Sequence, residues 1–344
     1  MDKIIIGSTR KNSGKTSFVV GLAKTIGKKF AYIKPFGDRL YYRKKRLWDY
    51  DSALITSVFN LEDSPEDMSI GFDHTKVRYM YTEETMKEKL NELIAEKGKN
   101  KDIVFIEGAE HLSYGAFVHL DAISVARAVG GKLIIVVSGE EGAIMDDLTF
   151  IKNYMSVSDI DFKGVVINKI KDMDDFSATY SGTIEEMGIP VIGMLPYRPQ
   201  LTHLTVSNLA ERLFSKVIAG ENGLGKTIQN IFIGAMNADA ALNNPLFKKE
   251  DKLIITSGDR GDMIVASLES STSCIVLTNN IVPTSQIISK AAAANIPLLL
   301  VSEDTYEIVK QIERIEPLLT KSVSGKIDLL EEMIGAYIDV EKVL

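Results

Sequence analysis

The chain has 344 residues, of which 45% are hydrophobic and 25% are charged, and its formal net charge is −7. This length exceeds that of a typical single core, so two domains are expected. The acidic charge gives no support for nucleic-acid binding. No apolar run approaches the roughly 20 residues of a membrane-spanning helix. The single cysteine, Cys274, lies in an apolar run. Together these features predict a cytoplasmic protein with a buried structural thiol and no membrane partner.

Short β-branched segments alternate with longer helical patterns, which predicts parallel sheets covered by helices. The strands predicted in the first part of the chain are 4–7, 30–34, 103–107, 132–138, 163–168 and 191–195. The helices predicted there are 17–26, 51–59, 83–96, 121–129, 145–154, 184–187 and 208–219. Residues 39–81 fit the alternation less well and are expected to form an insertion.

The composition changes to Gly, Asn and Lys at residues 220–226, which marks a predicted linker. The predicted domains are therefore residues 1–219 and 220–344. The second has predicted strands at 230–234, 253–256, 273–278 and 298–301 and predicted helices at 262–268, 284–293 and 305–313. The predicted fold class is thus a large α/β domain followed by a smaller one.

The tripeptide Gly-Lys-Thr occurs twice, at residues 14–16 and 225–227. The second copy completes the G-x-x-x-x-G-K-T pattern of a phosphate-binding loop, whereas the first has Thr9 in place of the first glycine. Such a loop must join a buried strand to a helix, because the N–H groups at the start of the helix face the anion. The first copy has that order and the second does not. The first copy is therefore predicted to bind phosphate, and the second to be a glycine-rich linker.

Each part of the first loop has an expected task. Lys15 is expected to contact the β- and γ-phosphates, and the Thr16 hydroxyl to bind Mg²⁺. The residues of the loop predicted to bind the nucleotide are Arg10, Lys11, Asn12, Ser13, Gly14, Lys15, Thr16 and Ser17. Arg10 either contacts phosphate across a dimer interface, as a lysine does in one large class of these proteins, or is a solvated loop charge.

Mg²⁺ prefers oxygen ligands, so carboxylates at strand ends are the next candidates. Glu107 directly follows Ile-Val-Phe-Ile. It is predicted to be open to the loop edge, so that its charge matters for metal binding rather than for folding. Asp49 and Asp51 are candidates for a second carboxylate, and one of them is alternatively the cap of the next helix. Lys34, at the end of the second strand, is expected to neutralise a bound anion or a transferring phosphoryl group.

Three further features have two interpretations each. Asn168 ends a buried strand, where its amide either pairs with an adenine edge or closes a turn. Residues 39–46 are basic with interleaved aromatic residues, as in nucleotide-binding segments, but the acidic total charge favours a solvated edge of the insertion. Asp259, Arg260 and Asp262 either bind a small anion or form ion pairs with one another.

The order of these motifs resembles a known family. The segments GSTRKNSGKTS, YIKPFG, FIEGAE, VVINK and IGMLPYRPQL follow one another as in dethiobiotin synthetase and its relatives among the cobyrinic acid amide synthases. They are more similar still to the dethiobiotin-synthetase-like amino-terminal region of long phosphotransacetylases. The later segment ITSGDRGD resembles the DRTGG domain that is joined to this region. The resemblance implies a P-loop NTPase-type parallel-sheet domain followed by a smaller α/β DRTGG domain.

The resemblance also implies roles for single residues. The positions that match the residues organising Mg-ATP in dethiobiotin synthetase are Lys15, Thr16, Asp51 and Glu107. Lys34 matches a lysine that acts near the reacting carboxylate, so Lys15 and Lys34 are the catalytic candidates. Asn168 and Pro196 match positions that hold adenine. The expected cofactors are therefore ATP and Mg²⁺, with Thr16, Asp51 and Glu107 as metal ligands.

Two departures from the family pattern bear on function. The synthetases continue Glu-Gly-Ala with Gly-Gly, whereas this chain has Glu110, His111 and Leu112, which argues against binding of a diamino acid. The chain ends at Leu344 without a phosphotransacetylase catalytic domain, so acetyl transfer is not expected.

Two classes of function therefore stay open. In the first, the protein is a regulatory or ligand-sensing module that binds Mg-ATP and a small anionic metabolite. In the second, it is an ATP-dependent ligase that phosphorylates a carboxylate-type substrate. The joint presence of Lys34, Asp51 and Glu107 favours chemistry, while the altered loop at Glu110 favours regulation. The resemblance further implies a homo-oligomer assembled through the second domain.

Overall fold

The structure is a computed structural model, and it describes residues 1–43, 46–155, 159–313, 315 and 324–344. Its internal contacts divide the chain into two units. The first unit comprises Met1–Arg198 and Leu319–Leu344, and the second comprises Pro199–Leu318. In the sequence, the second unit is thus inserted into the first.

The first unit is built on a parallel sheet of six strands, which are apolar because their side chains are buried on both faces. The strands of this unit are β1 (Asp2–Ser8), β2 (Phe30–Ile33), β3 (Leu40–Arg43), β4 (Arg46–Asp49), β5 (Ile103–Glu107), β6 (Lys132–Ser138), β7 (Asp161–Ile170) and β8 (Val191–Pro196). The order across the sheet is β2-β5-β1-β6-β7-β8, and all its registered pairs are parallel. β3 and β4 form a separate antiparallel hairpin.

Seven helices connect these strands in chain order. They are α1 (Lys15–Ile26), α2 (Tyr50–Phe59), α3 (His74–Met80), α4 (Glu83–Lys97), α5 (Ala122–Val129), α6 (Glu141–Tyr154) and α7 (Met173–Met187). Four of them begin at an aspartate whose side chain accepts a hydrogen bond from at least one N–H group of the first turn. These caps are Asp49 of α2, Asp73 of α3, Asp121 of α5 and Asp172 of α7, and each satisfies N–H groups that have no partner within the helix.

The second unit contains a five-stranded sheet in the order β10-β15-β14-β13-β12, with β10 antiparallel and the other pairs parallel. The strands of this unit are β9 (Leu204–Thr205), β10 (Lys216–Ala219), β11 (Thr227–Ile228), β12 (Asn230–Ile233), β13 (Lys252–Ser257), β14 (Thr272–Thr278) and β15 (Leu298–Leu300). Its helices are α8 (Pro199–Thr202), α9 (Val206–Arg212), α10 (Ala238–Asn243), α11 (Gly261–Leu268), α12 (Ser285–Ala293) and α13 (Thr305–Glu313). Cys274 lies buried in β14, and burial raises the pKa of its thiol.

All ten predicted strands are present, because alternation of short apolar runs with polar turns is a local signal. The predicted helix 208–219 is wrong in its second half. It ends at Arg212, and Lys216–Ala219 form a strand instead, since their backbone pairs with β15. The hairpin β3–β4 and helix α3 were not predicted. Within the described residues, no helix is both long and apolar enough to cross a membrane.

The division into units differs from the predicted boundary between residues 219 and 220 in two places. Strand β10 pairs with β15 and therefore belongs to the second unit. The last helices, α14 (Ser324–Tyr337) and α15 (Val340–Val343), belong to the first unit, to which the chain returns after α13. Both differences arise from contacts between residues far apart in sequence, which composition does not report.

Helix α14 packs against α1, the helix that begins at the first Gly-Lys-Thr. The apolar residues of α14 that become buried are Ile327, Leu330, Met333 and Ile334. The two helices approach closely at Gly21, where an added Cβ would lie 2.6 Å from Ile334 Cγ1 and 2.8 Å from the Leu330 carbonyl oxygen. A glycine is needed here because no side chain fits between the helices.

Gly21→Ala is therefore expected to lower the free energy of unfolding by about 1–3 kcal/mol, since the new methyl group forces the helices apart. Gly335→Ala is the matched control, because Gly335 is helical and has no atom within 4 Å of an added Cβ. It should be neutral or stabilise by up to about 1 kcal/mol. Urea denaturation measures both, and equal stability of the two variants would contradict the close contact at Gly21.

Candidate functional site

The first Gly-Lys-Thr follows the loop after the central strand β1, and its Lys15 and Thr16 begin α1. This is the strand-loop-helix order that the sequence predicted, and it places the N–H groups of the first helical turn around the loop. Gly14 caps the helix in the left-handed region with a φ of 94°. An added Cβ would lie 2.4 Å from the Asn168 side-chain nitrogen. Both facts require glycine at this position.

Asn168 lies at the end of the long strand β7, and its side chain braces the loop. Its Nδ2 donates to the Ser13 carbonyl at 2.8 Å, while its Oδ1 accepts from the Lys169 backbone N–H. The Lys169 ammonium also donates to the Asn12 carbonyl at 2.5 Å. Lys169 was missed by the sequence analysis, although it directly follows a selected residue. The roles of Asn168 and Pro196 in adenine binding stay predictions, and Pro196 lies buried at the end of β8.

The Lys15 ammonium lies inside the loop, where Nζ donates to Ser8 Oγ at 2.8 Å and to the Glu110 carbonyl at 3.3 Å. Burial lowers the pKa of Lys15, and the nearby Glu107 carboxylate opposes that shift. The Glu110 side chain forms an ion pair with Lys11 at 2.8 Å. Glu110, the residue at which the chain departs from the family pattern, therefore contacts both lysines of the loop.

Arg10 lies on the exposed side of the loop and pairs with an aspartate of α6. Its guanidinium forms two hydrogen bonds to the Asp147 carboxylate on α6, from Nε at 2.8 Å and from the terminal nitrogen at 2.9 Å. The side chain is 47% exposed. Exposed ion pairs contribute little stability, so little free energy is needed to separate Arg10 from Asp147. Its contact with a nucleotide stays a prediction.

Glu107 is fully enclosed, with an exposed fraction of 1%. The expectation of an open position at the loop edge is therefore wrong. The cause is the strand order, because β5 lies between β1 and β2. Thr16 Oγ1 donates to Glu107 Oε1 at 2.8 Å, and the Tyr32 hydroxyl donates to Oε2 at 3.0 Å. Burial, followed by the charge of Asp51, raises the pKa of Glu107 to about 7.

Glu107→Gln is expected to change how stability depends on pH in the ligand-free protein. The folded pKa of about 7 exceeds the ordinary value of 4.5, so the folded state binds the extra proton between these values. The wild type therefore loses stability as pH rises through that window, by roughly 3 kcal/mol, whereas glutamine does not titrate. Urea denaturation from pH 5 to pH 8 should show wild-type stability falling relative to the variant. A constant difference would contradict this expectation.

Lys34 lies at the centre of a buried cluster of three aspartates, which we call the Lys34 cluster. Its Nζ lies 2.5 Å from Asp38, 2.6 Å from Asp51 and 3.3 Å from Asp49. Burial acts to lower the pKa of Lys34, but the three carboxylates outweigh burial and raise it well above its ordinary value. The structure thus surrounds Lys34 with carboxylates, and its contact with a bound anion or a transferring phosphoryl group stays a prediction.

The structure decides which aspartate caps helix α2. Asp49 Oδ1 accepts from the backbone N–H groups of Asp51 and Ser52, at 2.9 and 3.2 Å. Asp51 instead pairs with Lys34, and its second oxygen lies 3.4 Å from the Arg39 guanidinium. These cations lower the pKa of Asp51 against the opposing effect of its burial. Asp49 is therefore the cap, and Asp51 is the carboxylate left for the site.

Arg39 is a further site residue that was not selected individually. Its guanidinium donates to Asn12 Oδ1 at 2.5 Å, in addition to its contact with Asp51. It connects the tip of the loop to the Lys34 cluster. The basic segment 39–46 that contains it is described only in part, since residues 44 and 45 lie outside the described residues. The two interpretations of the whole segment, a solvated edge of the insertion and a nucleotide contact, stay predictions.

The donor atoms of this site suit a hard cation. The carboxylate oxygens of Asp38, Asp49 and Asp51 all lie within 4.8 Å of one another, and Lys34 compensates part of their charge. Beside them, Thr16 and Glu107 are joined by a hydrogen bond. Because Thr16 donates its proton to Glu107, the lone pairs of its oxygen remain available to a cation. Oxygen-only donors of this kind fit Mg²⁺.

The second Gly-Lys-Thr is followed by a different secondary structure. It leads into strand β11 rather than into a helix, so it has no helical N–H groups to offer an anion. In the loop before it, an added Cβ at Gly220 would lie 2.3 Å from the Ile296 carbonyl, whereas Gly225 itself has no atom within 4 Å of an added Cβ. The segment lies within the second unit, so the prediction of a linker between domains is not matched by the structure.

The charged cluster of the second unit forms an internal ion pair. Arg260 Nε lies 3.2 Å from the Asp262 carboxylate, and a terminal nitrogen donates to the Met236 carbonyl at 2.8 Å. The hydrogen bond from Arg260 lowers the pKa of Asp262. Of the two interpretations, the structure shows ion pairing for these two residues. Binding of an anion at Asp259 or Arg260 stays a prediction.

A central strand, a loop ending in Gly-Lys-Thr and a helix define the first unit as a P-loop domain of the NTPase type. The chain belongs to the AAA domain family, whose sequence profile matches residues 2–205. Residues 208–315 match the profile of the DRTGG domain. The two matches confirm the predicted fold class, a parallel-sheet P-loop domain followed by a DRTGG domain.

Curated relatives match between about two thirds and nearly all of the chain, at low identity. Phosphate acetyltransferase of a Synechocystis strain is 23% identical over 360 aligned residues, which cover 99% of this chain and 51% of the relative. The Pseudomonas aeruginosa enzyme of the same name is 22% identical over 375, with the same coverages. Cobyrinate a,c-diamide synthase of Methanocaldococcus jannaschii is 25% identical over 243, covering 64% and 47%. The resemblance in the motifs is thus confirmed, and the chain spans about half the length of these relatives.

Two solved structures are similar in part. The CBS and DRTGG domains of the regulatory region of Clostridium perfringens pyrophosphatase, complexed with the activator diadenosine tetraphosphate, are 21% identical. The match covers 33% of this chain and 47% of that chain, with a TM-score of 0.29. The cell division protein MinD of Aquifex aeolicus is 20% identical, with coverages of 58% and 84% and a TM-score of 0.34.

Proposed function

We propose that the first unit binds ATP with Mg²⁺ and that the protein is a regulatory or ligand-sensing module. The observation that carries the proposal is the contact of Thr16 with Glu107 beside the buried ammonium of Lys15. These are the groups that a P-loop uses for the metal and for the β- and γ-phosphates. The AAA domain match over the same residues supports nucleotide binding.

Thr16 and Glu107 would hold Mg²⁺, with Asp51 of the neighbouring Lys34 cluster as the third group. Bound there, the metal would neutralise charge on the phosphates. The chain's own part is to present the Thr16 oxygen in a fixed direction and to keep water out, which the burial of Glu107 supports. Lys15 would exchange its bonds to Ser8 and Glu110 for phosphate oxygens, since a charged acceptor makes a stronger hydrogen bond.

The loop after β5 supports regulation over carboxylate activation. Glu110 is a bulky side chain at the position where the synthetases have glycine, and its carboxylate already occupies Lys11 in an ion pair. A carboxylate substrate would therefore be disfavoured next to this loop. Relatives named phosphate acetyltransferase match this chain over about half of their own length, so the shared part is a module of those relatives.

In this proposal the DRTGG domain supplies the second ligand site and the contact for self-association. A small anion would have to displace Asp262 from Arg260, because the two are already paired. If that anion and ATP influence each other, their coupling must be equal in both directions.

Isothermal titration of ATP with Mg²⁺ and with a chelator tests the proposal. We expect saturable binding that is strengthened by Mg²⁺, with little turnover in a phosphate-release assay. Absence of binding would overturn the nucleotide site. Rapid turnover that depends on a carboxylate-containing acceptor would support the ligase in place of the regulatory module.

A further inference from the structure

Tyr32 is a polar residue in the middle of the otherwise apolar strand β2. Its exposed fraction is 1%, and its neighbours in the strand are Ala31 and Ile33. A phenylalanine would bury the same ring without a hydroxyl that needs a partner. The partner of the hydroxyl is the Glu107 carboxylate on the adjacent strand β5.

The two oxygens of Glu107 have separate donors. Oε1 accepts from Thr16 and Oε2 accepts from Tyr32, at 2.8 and 3.0 Å. With a donor on each oxygen, the plane of the carboxylate is held from both sides. The Thr16 hydroxyl proton points at Glu107 Oε1. The position of Oε1 therefore sets the direction of the lone pairs on Thr16 Oγ1.

The geometry makes the Tyr32 hydroxyl the donor and Glu107 Oε2 the acceptor, at 3.0 Å. A phenol contributes a neutral O–H group, so it adds no charge to a site that already contains several carboxylates.

We infer that Tyr32 is a positioning residue for the cation site. It fixes Glu107, and through Glu107 it orients the Thr16 hydroxyl toward Mg²⁺ at the P-loop. This inference rests on the proposed binding of Mg-ATP. Replacing a residue that orients a metal ligand through a hydrogen bond typically lowers metal affinity by about 10- to 100-fold.

Tyr32→Phe tests the inference, because it removes one hydroxyl and keeps the ring. We expect the Mg²⁺ concentration for half-maximal ATP binding to rise about 10-fold or more, while ATP affinity in chelator changes less than about 2-fold. Mn²⁺ bound in place of Mg²⁺ should show an altered electron paramagnetic resonance spectrum. Tyr180→Phe is the matched control, since the Tyr180 hydroxyl bonds to a different glutamate, Glu141, and should change neither quantity.

A double-mutant cycle with Glu107→Gln separates positioning from a structural effect. If Tyr32 acts through Glu107, Tyr32→Phe should cause no further loss of Mg²⁺ dependence once Glu107 is replaced. An additive loss, or equal loss with and without Mg²⁺, would overturn the inference and leave the proposed function intact. If wild type binds ATP without any effect of Mg²⁺, the proposed function and the inference both fail.

Discussion

Lys15→Ala is expected to abolish measurable Mg-ATP binding, with at least a 100-fold loss of affinity. The Lys15 ammonium lies within the loop, and its present partners are two neutral oxygens, Ser8 Oγ and the Glu110 carbonyl. Phosphate oxygens are charged acceptors, so they form stronger hydrogen bonds with the ammonium than these neutral oxygens do. Without Lys15, most of that gain in binding free energy is lost. Calorimetric titration with ATP and Mg²⁺ measures the affinity directly.

Lys226→Ala is the matched control for that experiment, because Lys226 is the lysine of the second Gly-Lys-Thr. The residues after it form strand β11, so no helix start supplies N–H groups for a phosphate. Its affinity for Mg-ATP should stay within about 2-fold of wild type. Similar losses in both variants would remove the basis for assigning the nucleotide to the first copy.

Lys34→Ala is expected to cause the largest loss of stability, about 3–5 kcal/mol in the free energy of unfolding. Lys34 is buried among three carboxylates, and removing one partner of a buried ion pair leaves charge without compensation. Lys11→Ala is the control, because the Lys11 ammonium is 52% exposed and its pair with Glu110 contributes less than about 1 kcal/mol. Urea denaturation at pH 7 compares the two variants.

The loss in Lys34→Ala should depend on pH in a defined direction. Without the ammonium, we expect the buried Asp49 and Asp51 to have folded pKa values above their unfolded ones, because burial and mutual repulsion favour their protonated forms. An acid with a raised folded pKa costs stability as pH rises through that value. The deficit of the variant should therefore shrink toward pH 4.5 and reach its full size by pH 8. A deficit that grows on acidification would show that the carboxylates are not its source.

The sequence by itself determined the local elements of this protein. Strand β1, the loop of residues 9–14 and helix α1 follow one another within 26 residues, so their order is visible in the pattern of apolar and glycine residues. The order of elements likewise distinguished the two Gly-Lys-Thr copies. The pairing of Glu107 with Thr16 was anticipated in part, since both were selected as metal ligands.

The sequence did not indicate which side chains enclose these ligands. Tyr32 reaches Glu107 across 75 positions, because β2 and β5 are neighbours in the sheet although a hairpin and three helices separate them in the chain. The strand order also buries Glu107, which local pattern had placed at an open edge. Strand neighbours are chosen by packing of the whole sheet, and no short segment contains that information.

Only the tertiary structure decided how the chain is divided and how Lys34 is used. Helix α14 belongs to the first unit because its apolar face packs against α1 at Gly21, where the absence of a side chain lets the helices approach. The residues in this contact are more than 300 positions apart in the sequence. The sequence selected Lys34 to neutralise a bound anion or a transferring phosphoryl group, and it did not indicate that the fold itself places Asp38, Asp49 and Asp51 around this ammonium. Burial requires this arrangement, because a charge removed from water needs an opposite charge in contact with it.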